Sequence, residues 1–154
     1  MRRFVICLGI ICGLAGALSA QAATGRVMKV LPQFIDLKGR TSLSPSLYDR
    51  DAYQVQLRQH PEQRSAMRFE VQWKSRSPVW EPLTLRLELR GVAQGNLPKQ
   101  LALDLPVAPT GWFSRWDTIP LTGEQYKDLG EVTAWRVSLW EGAQVLGEQK
   151  SFLW

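Results

Sequence analysis

The chain has 154 residues, with 19 Lys and Arg against 14 Asp and Glu, one His and two Cys, and a formal net charge of +5 at pH 7. The cations are interleaved with acids rather than gathered in one stripe, which is typical of a solvated surface and argues against nucleic acid as a partner. One histidine and two cysteines supply no His/Cys metal set, and the chain contains no phosphate-binding glycine loop or serine-nucleophile elbow. We therefore expect neither a metal site nor a cofactor.

The first 23 residues predict a secretory signal peptide. Two arginines follow Met1, an apolar run covers residues 4–18, and small residues in an A-x-A arrangement precede residue 24. The apolar run of 15 residues is shorter than the roughly 20 that cross a bilayer as a helix, which favours cleavage over retention as an anchor. We therefore expect a secreted or periplasmic protein without a membrane span, exported by the general secretory (Sec-type) route.

Both cysteines, Cys7 and Cys12, lie inside this apolar run. The residues before Cys12 lack the pattern of a lipoprotein signal, so we expect no lipid anchor. Removal of the signal takes away Arg2 and Arg3, which leaves 17 cations against 14 acids and a net charge of +3. The mature region, residues 24–154, is therefore predicted as one thiol-free and mildly basic domain.

The first elements of the mature region are a strand and a short helix. Residues 27–37 are predicted as a strand, and Pro32 places it at a sheet edge because proline donates no ladder hydrogen bond. Ser44 before Pro45 is a helix-start signal, and apolar residues then recur at helical spacing. The sequence therefore predicts a short helical insertion over residues 44–58.

Alternation of apolar and polar residues marks the strands that follow. It runs through residues 67–74, 83–90 and 101–107, each of which predicts a half-buried strand. Alternation with one polar face is typical of antiparallel sheets, because the strands of a parallel sheet are covered on both faces.

A second helical segment and two further strands complete the pattern. Residues 122–125 have the spacing of a capping box, and Gly130 supplies the stop. Residues 132–140 then alternate as a strand, and the acidic-glycine pair at 141–142 predicts a turn into a last strand over residues 145–154.

These elements predict an all-β fold, a two-layer antiparallel β-sandwich with one or two short helical segments, with a barrel as the less favoured alternative. Over residues 67–154, the helical turn before the penultimate strand and the hairpin that joins the Trp135–Leu139 strand to the last one resemble immunoglobulin-like and fibronectin-III-like sandwiches of small exported bacterial proteins without assigned function. Unlike true immunoglobulin domains, the chain has no inter-sheet cysteine pair, and residues 44–63 are additional. The resemblance implies binding or assembly and no particular site residues.

All seven tryptophans lie in the mature region. Trp73 and Trp135 fall on the apolar phase of their strands and are expected in the core. Trp140 has the opposite phase and is expected outside the core or at its rim.

Aromatic residues near the strand junctions are candidates for ligand binding. They either fold inward to plug the open ends of the sandwich or form a surface on which sugar rings stack. For the second alternative, Gln94, Asn96 and Arg115 would supply polar contacts. The candidate ligand-binding residues are Trp80, Trp112, Phe113, Trp116 and Trp140.

Catalytic groups are scarce. His60 stands in a polar run and is interpreted as a solvated loop residue. Arg50 is expected to form exposed charge pairs with the acids on either side of it. Several carboxylates are candidates for acid/base chemistry by type alone, since no spacing pairs them: Asp49, Asp51, Asp104, Asp117 and Glu124.

The sequence therefore predicts a non-catalytic structural or protein-interaction module, not an enzyme, with protein as the favoured partner. A carbohydrate-binding module that uses the loop tryptophans is the first alternative, and a glycoside hydrolase is the least favoured. The Pro32 edge and the terminal hairpin are candidate places for a partner to dock by strand addition.

Overall fold

The computed structural model describes residues 23–76 and 82–154; the predicted signal peptide and Trp80 lie outside these ranges. Within them the chain forms seven strands, two α-helices and one 3₁₀ turn at Pro61–Gln63. The helices are α1 (Leu47–Gln59) and α2 (Gly123–Leu129). The strands are β1 (Thr24–Asp36), β2 (Arg64–Arg76), β3 (Leu83–Ala93), β4 (Leu97–Val107), β5 (Arg115–Leu121), β6 (Glu131–Glu141) and β7 (Gln144–Lys150).

All neighbouring strands are antiparallel, and they form two sheets. One sheet has the order β1-β2-β5 and the other has the order β4-β3-β6-β7. The predicted all-β, two-layer antiparallel sandwich is therefore confirmed. In the described ranges, neither helix has the length and apolar character that a membrane crossing requires.

The core lies between the sheets and follows the alternation of the sequence. Phe69, Val71 and Trp73 of β2 and Leu85 and Leu87 of β3 are fully buried, whereas the residues that alternate with them are polar and partly exposed. Burial of a large apolar side chain stabilises the fold by about 1.5–3 kcal/mol, so this alternation drives the two sheets together. The prediction that Trp73 lies in the core is confirmed.

Trp135 packs against the core, as the sequence predicts, but it is only half-buried. The reason is that β7 ends at Lys150, opposite Arg136, rather than continuing to residue 154. A turn replaces the end of the predicted last strand, and Ser151 takes the place of a strand neighbour. Its N–H donates to the Trp135 carbonyl over 2.9 Å, and its hydroxyl accepts from the Trp135 N–H over 3.0 Å. Trp135 therefore has no strand residue beside it on that side.

The predicted first helix is present, but it begins at Leu47 rather than at residue 44. Ser46 is the N-cap, and its hydroxyl accepts a hydrogen bond of 3.4 Å from the Asp49 N–H. The Ser44 hydroxyl instead donates to the Asp49 carboxylate over 2.6 Å. Both serines therefore bind Asp49 at the start of the helix, but Ser46, which is nearer the helix, is the N-cap.

The second helix begins and ends where the sequence predicts. Thr122 is its N-cap and Gly130 its C-cap, with a positive φ of 72° at Gly130 that suits glycine. The Thr122 side chain makes no capping hydrogen bond, so the predicted capping box is not formed.

The outer edge of β1 is covered by a side chain from α1. The Gln54 amide accepts from the Phe34 N–H over 2.7 Å and donates to the Phe34 carbonyl over 2.9 Å, as a neighbouring strand would. Pro32, two residues earlier, has no N–H to offer at the same edge. The predicted edge position of this strand is confirmed, and its hydrogen-bonding groups are partly occupied.

The start of β1 lies against β7 of the other sheet. A Cβ atom added to Gly147 would lie 2.9 Å from the Gly25 carbonyl oxygen and 3.0 Å from Arg26 Cα. The two backbones can approach this closely only because neither glycine has a side chain. This contact fixes the beginning of β1 at one end of the sandwich.

Arg64 ties α1 to both sheets. Its guanidinium donates to the carbonyls of Leu57 and Arg58 in the last turn of α1, and to the Glu131 carboxylate over 2.8 Å. It also lies 4.0 Å from the centre of the Phe34 ring, and its side chain is only 3% exposed. The Arg64 guanidinium therefore caps the carboxyl end of α1, where the helix dipole is negative.

We expect Arg64→Met to lower the free energy of unfolding by about 2–3 kcal/mol, because the α1 carbonyls would be buried without donors. Urea denaturation followed by circular dichroism measures the change. Arg58→Met is the matched control, since Arg58 is exposed in the same turn, and its effect should stay within about 0.5 kcal/mol. Equal denaturation midpoints for the two variants would contradict the assigned role of Arg64.

Candidate functional site

Three of the predicted ligand-binding aromatics face solvent. Trp112 and Phe113 lie in the aromatic loop, residues 108–114, between β4 and β5, and their side chains are 79% and 81% exposed. Trp116, near the start of β5, is 46% exposed. These rings therefore do not fold inward to plug the end of the sandwich, which was the first of the two alternatives.

The aromatic loop is held to β2 by a reciprocal set of hydrogen bonds. The Ser75 N–H donates to the Thr110 hydroxyl over 2.9 Å, and the Thr110 N–H donates to the Ser75 hydroxyl over 3.3 Å. The Thr110 hydroxyl also donates to the Ser75 carbonyl over 3.3 Å. Ser75 is almost completely buried, so this joint is protected from water. The next residue, Gly111, has a φ of 70° and turns the chain outward toward Trp112.

Trp112 packs against a cation of the neighbouring strand. The Arg76 guanidinium carbon lies 3.9 Å from the centre of the Trp112 ring, a cation–π distance. Beside this pair is a surface pocket of about 290 Å³. Its lining is Thr24, Gly25, Arg26, Lys74, Ser75, Arg76, Gly111 and Trp112.

The pocket opens onto a positively charged part of the outer face of the β1-β2-β5 sheet. We call its four cations, Arg26, Lys29, Lys74 and Arg76, the basic face. Arg26 lies directly opposite Lys74, and Lys29 lies opposite Gln72, which in turn pairs with Trp116. Among the described residues, no carboxylate lies within 4.0 Å of these four cations, whereas Arg68, further along β2, pairs with Glu70 at 2.7 Å.

Trp140 is not part of this surface. It lies on the outer face of the other sheet, opposite Thr84, where its indole N–H donates to the Ser138 hydroxyl over 2.8 Å. The Arg86 guanidinium lies 5.3 Å from the centre of its ring. The expectation that Trp140 lies outside the core is confirmed, but the sandwich separates it from Trp112. It therefore cannot share one ligand surface with the aromatic loop.

The polar residues expected beside the loop aromatics are also dispersed. Gln94 and Asn96 lie in the turn between β3 and β4, at the opposite end of the sandwich from Trp112. Arg115 adjoins the aromatic loop, but its guanidinium is paired with Asp117 at 3.1 Å. The cation that contacts Trp112 is instead Arg76. The sequence pattern did not indicate this contact, because Arg76 and Trp112 are far apart in the chain and only the fold brings them together.

The outer face of the four-stranded sheet carries a second set of arginine and tryptophan contacts. The Trp154 ring centre lies 4.3 Å from the Arg90 guanidinium and 4.9 Å from that of Arg136. Arg136 also binds Glu88 through two hydrogen bonds of 2.7 and 2.9 Å. Arg86 and Arg136 on this face each have a carboxylate partner, and Arg90 stacks on a ring, whereas the basic face has no carboxylate partner among the described residues.

Four of the five candidate catalytic carboxylates make structural contacts, and the fifth, Glu124, is exposed in the first turn of α2. Asp104 binds Arg86 at 2.8 and 2.9 Å, and Asp117 accepts from the Trp73 indole N–H at 2.8 Å. Asp51 pairs with Arg50 at 3.1 Å, which confirms one of the two predicted charge pairs of Arg50. His60 is exposed and contacts Glu62 at 3.1 Å. In residues 23–76 and 82–154, no group of three or more His, Cys, Asp or Glu side chains is arranged to hold a metal ion.

The most perturbed carboxyl group of the described chain is Asp36, the last residue of β1. Burial disfavours its ionised form, but hydrogen bonds from the Arg40 and Lys38 N–H groups, the Tyr53 hydroxyl and the Arg40 side chain more than offset this and lower the pKa of Asp36 well below its usual range. These donors lie in the turn after β1, at Lys38 and Arg40, and in α1, at Tyr53. The low pKa of Asp36 therefore results from hydrogen bonds that hold the end of β1 to α1.

Asp36→Asn should lower the free energy of unfolding near neutral pH by about 1–3 kcal/mol, because the amide cannot accept from all of these donors. The ionised Asp36 stabilises the fold above its unfolded-state pKa of about 3.8, and this contribution is lost as the pH falls from there toward the folded-state pKa. The difference between wild type and variant should therefore shrink below about pH 4.

Urea denaturation across this pH range measures that difference. Asp51→Asn is the control, since Asp51 is 72% exposed in its pair with Arg50. A gap between wild type and Asp36→Asn that stays constant from neutral to acid pH would show that ionisation of Asp36 contributes nothing to stability.

Comparison of the chain with protein-family models, with curated proteins and with solved structures finds no match. The surface formed by Trp112, Phe113 and the basic face is therefore interpreted from its own geometry.

Proposed function

We propose that this chain is an exported, non-catalytic protein-interaction module that binds its partner through the aromatic loop and the basic face. The observation that carries the proposal is the exposure of two adjacent large aromatic side chains, Trp112 and Phe113, on a loop that hydrogen bonds hold to β2. Aromatic residues, above all Trp and Tyr, dominate the binding energy of protein interfaces, because they bury a large area at a small cost in side-chain entropy.

The fixed position of the loop supports this assignment. A mobile loop loses conformational entropy when it binds, whereas a loop that is already ordered loses little. The Ser75–Thr110 joint and the stacking of Arg76 on Trp112 both order the loop in the free protein. The resemblance of the sequence to immunoglobulin-like sandwiches points in the same direction, since it implies binding or assembly.

The distribution of carboxylates favours binding over catalysis. Glycoside hydrolysis requires two carboxyl groups facing each other across a cleft. The described lining of the pocket beside Trp112 contains Arg26, Lys74 and Arg76 and no carboxylate. Asp104 and Asp117 are each held by structural partners elsewhere.

Carbohydrate binding is the second candidate, and the pocket beside Trp112 favours it. One ring of a sugar can stack on an exposed indole while neighbouring polar groups bind its hydroxyls. Thr24 and Lys74 line the pocket and provide such groups. Trp140 does not belong to this alternative, because it lies on the other face of the sandwich.

Strand addition at β1 is no longer the favoured mode of docking. Gln54 already occupies the N–H and carbonyl of Phe34, and Pro32 lacks a donor. A partner strand would have to displace the Gln54 side chain of α1 from this part of the edge.

The double variant Trp112→Ala and Phe113→Ala should lose its partner, because the exposed aromatic area of the loop would be removed. Tagged wild-type and variant proteins are used to capture proteins from the envelope fraction of the native cells, and the captured proteins are quantified by mass spectrometry. We expect the partner to decrease by about tenfold or more, the effect of losing a binding hot spot.

Phe152→Ala is the matched control, since this phenylalanine is fully exposed and lies after β7, away from the aromatic loop. Its captured proteins should match those of the wild type, and all variants should keep the wild-type thermal midpoint. If the double variant captures the same proteins in the same amounts as the wild type, the proposal is wrong. Loss of binding to a polysaccharide, in place of a protein, would favour the second candidate.

A further inference from the structure

We infer that the segment of the partner bound beside the aromatic loop is an extended peptide with acidic residues at alternate positions. This inference rests on the proposed function, because it names the chemistry of the partner for the same surface. Two observations support it: the clustering of cations in the pocket beside Trp112, and their spacing along the strands of the basic face.

The residues that line the pocket favour the binding of an anion. Arg26, Lys74 and Arg76 all line it, and its lining contains no acidic side chain among the described residues. Three cations close together repel one another, which destabilises the free protein unless an anion is bound between them. Elsewhere on the described outer faces, Arg86 is paired with Asp104 and Arg136 with Glu88. The three cations of the pocket have no such carboxylate among the described residues, so we expect acidic groups of the partner to complement them.

The spacing of the cations matches that of an extended chain. Lys74 and Arg76 are alternate residues of β2 and point to the same side of the sheet, so their Cα atoms are about 6.5–7 Å apart. An extended peptide presents alternate side chains on one face at the same repeat. Glutamate or aspartate at alternate positions can therefore meet Lys74 and Arg76 in register. Arg26, directly across from Lys74, adds a second donor to the first of these positions.

Stacking on Trp112 prepares one of these cations for binding. The Arg76 guanidinium is held 3.9 Å from the indole ring, so its N–H groups are presented at the pocket rather than sampling many rotamers. A guanidinium fixed in this way can bind a carboxylate through two parallel hydrogen bonds. The exposed side chain of Phe113 offers an apolar contact to a residue next to the acidic positions.

The same geometry favours a peptide over an acidic polysaccharide. The guanidinium of Arg76 covers one face of the Trp112 ring, which leaves a single face for a sugar. Cations spaced two residues apart along a strand, by contrast, match the spacing of alternate side chains in an extended peptide. We therefore treat an acidic polysaccharide as a competing outcome of the experiment.

The test uses a short synthetic peptide in which glutamate alternates with threonine, and a peptide with glutamine at each glutamate position. Each is titrated into the mature protein labelled with ¹⁵N, at low salt. We expect the glutamate peptide to shift the amide signals of Gly111 and Trp112 and the Nε signal of Arg76, with no shift from the glutamine peptide. Absence of shifts at these positions with the glutamate peptide would overturn the inference.

A charge-matched pair of variants separates this site from general attraction to a basic protein. Arg26→Gln with Lys74→Gln removes two cations of the pocket, and Lys99→Gln with Lys150→Gln removes two exposed cations of the other sheet. The first variant should bind the glutamate peptide about tenfold more weakly, as when close charge pairs are lost at an interface, and the second should bind as wild type does. Equal weakening in both variants would overturn the assignment to this pocket.

Polygalacturonate supplies the polysaccharide arm of the same titration. If it binds through Arg26 and Lys74 while the glutamate peptide does not bind, the ligand is an anionic glycan and the peptide inference is wrong. The failure of this inference is distinct from failure of the proposed function. Suppose that capture of a protein partner requires Trp112 and Phe113, but that the Arg26→Gln, Lys74→Gln variant still captures it. The proposed function as an interaction module would then stand, and the inference of an acidic peptide segment would be wrong.

Discussion

Burial of alternating apolar side chains between two sheets is the constraint on which the rest of the structure depends. Because Phe69 and Trp73 on one sheet and Leu85 and Leu87 on the other turn inward, every second residue of those strands is committed to solvent. The outer faces are then free to carry charge without cost to the core. On the four-stranded sheet the outer face carries arginines that pair with acids and rings, whereas on the three-stranded sheet the basic face has no carboxylate partner in residues 23–76 and 82–154. The two faces of one sandwich are therefore chemically different.

The secondary structure was readable from the sequence because its signals are local. Period-two alternation is a property of a few consecutive residues, and the turns at Gly130 and Gly142 depend on one residue each. The errors also have local causes. Ser44 and Ser46 are equally good capping residues by type, but in the fold Ser46 accepts from the Asp49 N–H and Ser44 donates to the Asp49 carboxylate. The end of the last strand depends on Ser151, whose two bonds to Trp135 are invisible in the sequence pattern.

The site could be predicted only in part, because it depends on pairs of residues far apart in the chain. Exposure of Trp112 was one of two alternatives that composition left open, and the Thr110–Ser75 joint decides between them by holding the loop outside the core. The contact of Arg76 with Trp112 joins β2 to a loop that follows β4, and the pairing of Arg26 with Lys74 is set by strand register. Neither contact produces a periodic pattern in the sequence. The basic face could have been predicted only from the register in which β1 pairs with β2.

The position of Thr24 gives the predicted signal peptide a second consequence. Thr24 is the first residue of β1 and lines the pocket beside Trp112, opposite Arg76. Cleavage of the predicted signal before residue 23 or 24 would create a new α-amino group at this position. An α-amino group has an ordinary pKa of about 7.7–8.0, so near neutral pH it would add most of a positive charge to the pocket. The same cleavage that accompanies export would then add a charge to the proposed binding surface, a charge that the precursor lacks.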